Sequence, residues 1–162
     1  MKSITRALLI ACLALPIVAC NKEEPQVVEA APVAVPQTAD RTAWRDYLQD
    51  LVPRHMEGIN NTPFIYLVPP PAGTEVDGEY DRLLEKAQSD VARGIVRGNL
   101  LTYAGADSAR TADLVVSSFE GVAPNTMNGV RVIFVGAAAD NDRVKAAVTP
   151  AGVEYVFVDT AR

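Results

Sequence analysis

Histidine and cysteine, the residues most used in nucleophilic and zinc chemistry, are scarce in this sequence. The chain has one histidine and two cysteines in 162 residues. A zinc site with two histidine ligands is therefore impossible, and a Ser-His-Asp triad could use only His55. We interpret His55 as a residue of the loop or helix end after the first predicted helix. The scarcity of these residues limits the catalytic and metal-binding sites that the chain could form, but it does not indicate a function.

Glycine-rich phosphate motifs and hydrolase signatures are missing as well. Neither G-x-G-x-x-G nor G-x-x-x-x-G-K-[ST] occurs, so we expect no dinucleotide, no other nucleotide and no cofactor. G-x-S-x-G and S-x-x-K are also missing, which removes the usual signatures of serine hydrolases and penicillin-binding enzymes. We therefore predict no catalytic residues.

The chain also lacks an excess of positive charge. It carries 15 Lys and Arg against 20 Asp and Glu, a formal net charge of −5. Binding to nucleic acid, or to an anionic membrane surface by charge, needs clustered basic side chains. We expect no nucleic-acid partner, and any attachment to a membrane must have another source.

The apolar run near the N-terminus, residues 7–15, is too short to span a bilayer. Lys2 and Arg6 precede it, and Ile17-Val18-Ala19-Cys20 follows it. A basic start, a short apolar run and a small residue at a cleavage site are the parts of a secretory signal. With a cysteine directly after the small residue, residues 1–19 resemble the signal peptide of bacterial lipoproteins. An ordinary secretory signal cut near Ala19 is the alternative.

The resemblance to lipoproteins implies several properties of the chain. The signal would be cleaved before Cys20, Cys20 would be acylated, and the lipid would anchor the protein in a membrane. Cys12 would leave with the signal, so no free thiol and no disulfide would remain. Asn21 after the cysteine resembles the default for sorting to the outer membrane. We therefore expect a location at its periplasmic face and a protein of the envelope as a partner.

Proline and alanine are concentrated in residues 20–39, which show no helical or alternating period. Proline-rich segments favour extended polyproline II at ~3.1 Å per residue, so such a linker could hold a domain up to roughly 60 Å from the bilayer. We predict that residues 20–39 are this linker, beginning with the lipidated Cys20. Residues 40–162 are predicted to form a single α/β domain.

Helical and apolar segments alternate along the predicted domain. Helices are predicted to begin at Asp40, Asp77, Asp107 and Asp140, and strands are predicted near residues 63–68, 99–104, 130–135 and 154–158. The run at 63–68 suits a strand buried on both faces. Strands separated by helices indicate a parallel sheet. In the first helix, Trp44 and Tyr47 share the face of the leucines and are interpreted as core residues.

We predict a small three-layer α/β sandwich with a four-stranded, mostly parallel sheet and helices on both faces. The predicted strand order is 2-1-3-4, a flavodoxin-like arrangement in miniature, because it places two helices on each face. The order 1-2-3-4 would put three crossover helices on one face and leave the other thinly covered.

Ligands of α/β sheets usually bind at the carboxyl ends of the strands. The candidate ligand-binding residues at that edge are Gly105, Asp107, Ser108, Gly136, Asp140 and Asp142. One hypothesis is that Asp107, Asp140, Asp142 and Asp159 converge on a hard cation. The other, which we favour, is that Asp40, Asp77, Asp107 and Asp140 are helix N-caps, so that no metal is bound.

Two classes of function remain after these exclusions. The first is a non-catalytic binding or scaffold module, held in the cell envelope by its lipid. The second is an unrecognised enzyme, or a small-ligand or metal-binding protein, that uses the carboxyl edge of the sheet. The missing catalytic motifs favour the first class.

Overall fold

The computed structural model describes residues 31–73 and 77–161. The predicted signal peptide, residues 1–19, and the acylation site at Cys20 lie outside the described residues. The described elements, in chain order, are α1 (Arg41–Arg54), β1 (Phe64–Val68), α2 (Gly78–Ala92), β2 (Leu100–Gly105), α3 (Ser108–Phe119), β3 (Arg131–Gly136), α4 (Ala138–Val148), a short 3-10 helix (Thr149–Ala151) and β4 (Glu154–Asp159). The predicted alternation of helices and strands is confirmed.

The four strands form one parallel sheet in the order β1-β2-β3-β4. The predicted parallel α/β sheet is therefore confirmed, but the predicted order 2-1-3-4 is wrong. That order would place β1 in the interior, where both of its faces would have to be buried. Ile65 of β1 is instead 46 % exposed, which an edge strand tolerates. β2, buried along its whole length, takes the interior position.

The larger core lies between the sheet and the three crossover helices, α2, α3 and α4, which share one face. The strands present large aromatic side chains to this face at alternate positions, including Tyr66, Tyr103 and Phe134. The rings of Tyr66 and Tyr103 stack with their centroids 4.7 Å apart. Because each strand lies beside the next one in the chain, all three crossovers step in the same direction along the sheet.

Among the described residues, α1 is the single helix on the opposite face of the sheet. Its buried stripe of Trp44, Tyr47 and Leu48 packs on residues of β2 and β3 such as Leu100 and Ile133. Trp44 and Tyr47 are 2 % and 3 % exposed, which confirms that they are core residues. The apolar period of 3.6 residues thus predicts both the helix and its buried face.

The described part of the predicted linker, residues 31–39, lies along α1. The Nε1–H of Trp44 donates to the carbonyl oxygen of Thr38 at 2.8 Å, and the backbone N–H of Val33 donates to Asp50 at 3.0 Å. Val35 is partly buried against the smaller core. The compact unit that contains the sheet includes these residues and begins at Ala31.

Both cores are formed by side chains of the compact unit that begins at Ala31. A unit with its own core meets the usual condition for folding independently. None of the helices in the described ranges is long and apolar enough to cross a membrane.

Removing residues 31–39 should destabilise this unit. We expect a chain that begins at residue 40 to be less stable than one that begins at Ala31 by roughly 2–3 kcal/mol, because it loses the hydrogen bonds to Trp44 and Asp50 and part of the burial of Val35. Thermal and urea unfolding of the two chains would measure the difference. As a matched pair, Val35→Ser should lower the melting temperature, whereas Val33→Ser, at a residue that is 47 % exposed, should change it little. Equal stability of the two chains would show that these contacts contribute nothing.

Candidate functional site

The carboxyl edge of the sheet brings together four of the six predicted site residues. Gly105 and Gly136 are the last residues of β2 and β3. A Cβ atom on Gly105 would lie 2.9 Å from Cβ of Val68, and one on Gly136 would lie 2.7 Å from Oγ of Ser108. The two glycines therefore allow the strand ends and the start of α3 to approach closely, which is a packing role.

Ser108 and Asp140 form a hydrogen-bonded bridge between α3 and α4. Oγ of Ser108 donates to Oδ2 of Asp140 at 2.6 Å and accepts from the backbone N–H of Ala137 at 2.7 Å. Hydrogen bonds from Ser108 and Arg143 hold the pKa of Asp140 below its usual range. The lowered pKa makes Asp140 a weaker proton acceptor than an ordinary aspartate.

Three of the four predicted N-caps are confirmed. Asp40, Asp77 and Asp107 each occupy the N-cap position and accept a hydrogen bond from a backbone N–H of the first turn. The prediction for Asp140 is wrong, because the N-cap of α4 is Ala137, three residues before Asp140. Ala137 has no side chain that can cap the helix, and its own backbone N–H donates to Oγ of Ser108 in α3.

The remaining predicted site residues do not join Ser108 and Asp140. Asp107 is engaged as the cap of α3, while Asp142 is exposed on α4 beside Asn141. Asp159 accepts from the backbone N–H of Ala161 at 3.0 Å. Among the described residues, no group of three or more His, Cys, Asp or Glu side chains is arranged to hold a metal ion.

Arg110 closes the same edge near β1. Its Nε–H donates to the carbonyl oxygen of Pro69 at 3.1 Å, its Nη2–H donates to Asp77, and its guanidinium lies 3.9 Å from the ring centroid of Tyr80. These contacts fix the segment after β1 to the start of α2. The polar side chains of the carboxyl edge are thus largely bonded to one another.

The cavity that remains at the carboxyl edge is small, about 110 Å³. Gly105, Ala106 and Ser108 line it on one side, and Gln37 and Thr160 on another. Small-molecule sites usually measure roughly 300–1,000 Å³. This cavity has room for water or a small ion rather than for an organic substrate.

His55 lies at the other end of the strands. It is the C-cap residue of α1, as a helix-end residue was predicted, and its carbonyl oxygen accepts a hydrogen bond from Arg131 at the start of β3. Partial burial and the nearby charge of Arg131 lower the pKa of His55. Ser108 contacts the loop after β3 ends, so His55 and Ser108 are on opposite edges of the sheet and do not form a triad.

Asp90, a buried carboxylate on the side of the sheet that carries α2, α3 and α4, is also bonded to neighbouring side chains. Asp90 is 6 % exposed and accepts hydrogen bonds from Tyr66, Lys86 and Arg93. Burial by itself would raise the pKa of Asp90, but the bonds from Lys86 and Tyr66 outweigh it and hold the pKa below its usual value. Asp90 thus ties α2 to β1 and has its charge neutralised by neighbours.

The sequence did not predict a concave, mainly apolar surface between α1 and β1, which we call the α1 groove. Its volume is about 660 Å³, and its lining residues are Arg41, Arg45, Leu48, Gln49, Val52, Pro53, Met56, Pro63, Ile65 and Leu67. The prediction that β1 is buried on both faces is wrong, because Ile65 faces this groove and is 46 % exposed. One helix on this face leaves the outer part of the sheet uncovered.

The small carboxyl-edge cavity and the α1 groove are both candidates for binding, and two further concave surfaces, of about 610 and 530 Å³, lie near the ends of α2 and α3 and beside β4. Comparisons with protein families, with curated proteins and with solved structures find no match to this chain. The carboxyl-edge cavity and the α1 groove differ in size, and the lining of the groove is mainly apolar. Large, mainly apolar concave surfaces with a few polar groups are the usual ligand sites of proteins.

We expect substitutions at the carboxyl edge to lower the stability of the fold modestly, as the loss of a structural contact does. Asp140→Asn should lower stability by up to about 1 kcal/mol at neutral pH, because it removes the charge that pairs with Arg143. Since the folded-state pKa of Asp140 is depressed, this difference should be present above the unfolded-state value of about 3.9 and be lost as the pH falls through the folded-state pKa. Urea unfolding of both chains between neutral and acid pH would measure it.

The matched controls are at Asp107. Asp107→Asn should be mild and Asp107→Ala should cost about 0.5–2 kcal/mol, because asparagine caps a helix as well as aspartate does. A rise in melting temperature on adding magnesium or calcium, abolished by Asp140→Asn, would contradict a structural role and point to a metal site.

Proposed function

We propose that this chain is a lipid-anchored, non-catalytic binding module of the cell envelope that binds through the α1 groove. The anchor rests on Ile17-Val18-Ala19-Cys20 and the basic, apolar segment before it, which resemble a lipoprotein signal. The location that fits Asn21 is the periplasmic face of the outer membrane. The observation that carries the binding role is the open apolar groove beside α1.

The groove supports this proposal because exposed apolar concavities of this size are uncommon on monomeric proteins unless they bind something. The alternative is an enzyme, or a small-ligand or metal-binding protein, that uses the carboxyl edge. The bonds among Ser108, Asp140 and Ala137, and the capping bond of Asp107, weigh against it. The polar atoms of these groups already have hydrogen-bond partners within the protein.

The proposed anchor would keep the domain close to the membrane. Residues 21–30 separate Cys20 from the first residue of the compact unit. A fully extended chain spans at most ~3.6 Å per residue, so these residues could reach about 36 Å. This is shorter than the roughly 60 Å expected for a spacer that continues to residue 39.

The anchor can be tested by metabolic labelling with palmitate. We expect the full chain to be labelled and to fractionate with membranes, and Cys20→Ser to abolish both, because Cys20 is the proposed site of acylation. Cys12→Ser is the matched control and should leave the label unchanged. Labelling that survives in Cys20→Ser would remove the lipoprotein assignment.

The groove can be tested by photocrosslinking in cells with a photoreactive amino acid at position 65. We expect an adduct that is much weaker when the same residue replaces Val96, an apolar residue outside the groove that is 66 % exposed. Both positions are well exposed, so the comparison tests whether the adduct depends on the location of position 65 in the α1 groove. Equal adducts at both positions, or none at 65, would contradict binding through the groove.

A further inference from the structure

The α1 groove has positive charge at one end and apolar side chains along the rest of its length. Arg41 and Arg45 lie one turn apart in the first half of α1, whereas Val52 and Met56 belong to its last turn and the residues just after it. At 1.5 Å of rise per residue, Arg45 and Met56 are separated by roughly 16 Å along the helix axis. Among the described residues, no Asp or Glu lines the groove.

The two arginines differ in how far they are engaged. Arg41 forms an ion pair with Glu79 of α2. Arg45 is exposed, and no described residue forms an ion pair or hydrogen bond with its side chain. An unpaired arginine in a chain whose net charge is −5 is available to an external anion. Its guanidinium matches a carboxylate particularly well.

The dimensions favour a small amphiphile over a partner protein. The volume of about 660 Å³ lies within the usual range of small-molecule sites, roughly 300–1,000 Å³. A stable protein interface needs about 20–30 residues on each side, whereas 10 of the described residues line this groove. Met56 has an unbranched thioether side chain that can adapt to a flexible apolar ligand.

We propose that the α1 groove binds a single-chain alkyl carboxylate, that is, a fatty acid. Its carboxylate contacts Arg45, and its alkyl chain lies between α1 and β1, over Val52 and Ile65. This inference rests on the proposed function, because it names the ligand of the same groove. Charge complementarity at one end and apolar burial along the rest select this class of ligand over neutral or cationic amphiphiles.

The test is calorimetric titration of residues 20–162 carrying Cys20→Ser, which keep the compact unit and both of its cores. Octanoate, decanoate and dodecanoate are the probes, used below the concentrations at which they form micelles. Each extension of the alkyl chain by two carbons should lower Kd by about 4- to 15-fold, because burial of CH₂ groups drives binding. Decanol should bind more weakly than decanoate, because it lacks the charge.

Two variants and their matched controls locate the ligand. Arg45→Gln should weaken decanoate about 3- to 10-fold and leave decanol unchanged, whereas Arg82→Gln, an exposed arginine on α2, should change neither. Ile65→Asp should abolish binding of both, whereas Val96→Asp should not. If Ile65→Asp fails to fold, Arg45→Gln still tests the charged end.

Equal affinity for decanoate and decanol, no dependence on chain length, or binding that survives in both groove variants would overturn the fatty-acid assignment. The photocrosslinked adduct at position 65 in cells distinguishes a failure of the fatty-acid assignment from a failure of the proposed binding function of the groove. A protein adduct there, without fatty-acid binding in the calorimeter, would keep the binding module and remove the alkyl carboxylate. A lipid adduct that disappears in Arg45→Gln would support both.

Discussion

The arrangement of this domain follows from the placement of all three crossover helices on one face of a parallel sheet. When each strand adds to the same side of the one before it, every connecting helix of the same hand packs on the same face. The opposite face must then be covered by residues that precede β1 or follow β4. Here the covering elements are α1 and residues 31–39, and the buried stripe on α1 that includes Trp44 and Leu51 is the main apolar surface available for that purpose.

A single helix cannot cover a four-stranded sheet. Strands lie about 4.8 Å apart and packed helices about 8–10 Å apart, so one helix covers roughly two strands. α1 packs on β2 and β3, and residues 31–35 extend the cover toward β4. Nothing comparable among the described residues covers β1 on this face. The α1 groove is thus a geometric consequence of the strand order.

The sequence predicted the elements well because the signals for them are local. Apolar periodicity located the helices, and Asp40, Asp77 and Asp107 marked three helix starts, since capping involves residues two or three positions apart. The start of α4 was misplaced because its N-cap, Ala137, makes no side-chain capping bond, while its backbone N–H donates to Ser108, 29 positions earlier. The strand order failed for a similar reason, because it depends on pairing between distant residues, such as Phe64 of β1 with Leu101 of β2. Neither contact leaves a periodic or short-range pattern in the sequence.

The strand order also explains why the carboxyl edge is a poor site in this α/β domain. In doubly wound sheets the ligand crevice forms where the chain reverses direction along the sheet, so that neighbouring loops separate to opposite faces. An order of 1-2-3-4 has no such reversal. The loops after successive strands all turn toward the same face, where they contact one another, as the bonds between Ser108 and Asp140 and between Arg110 and Asp77 illustrate. The order 1-2-3-4 therefore forms no crevice at the carboxyl edge. It also leaves β1, at the edge of the sheet, uncovered by the described residues on the face that carries α1. The larger concave surface consequently lies on that face of the sheet.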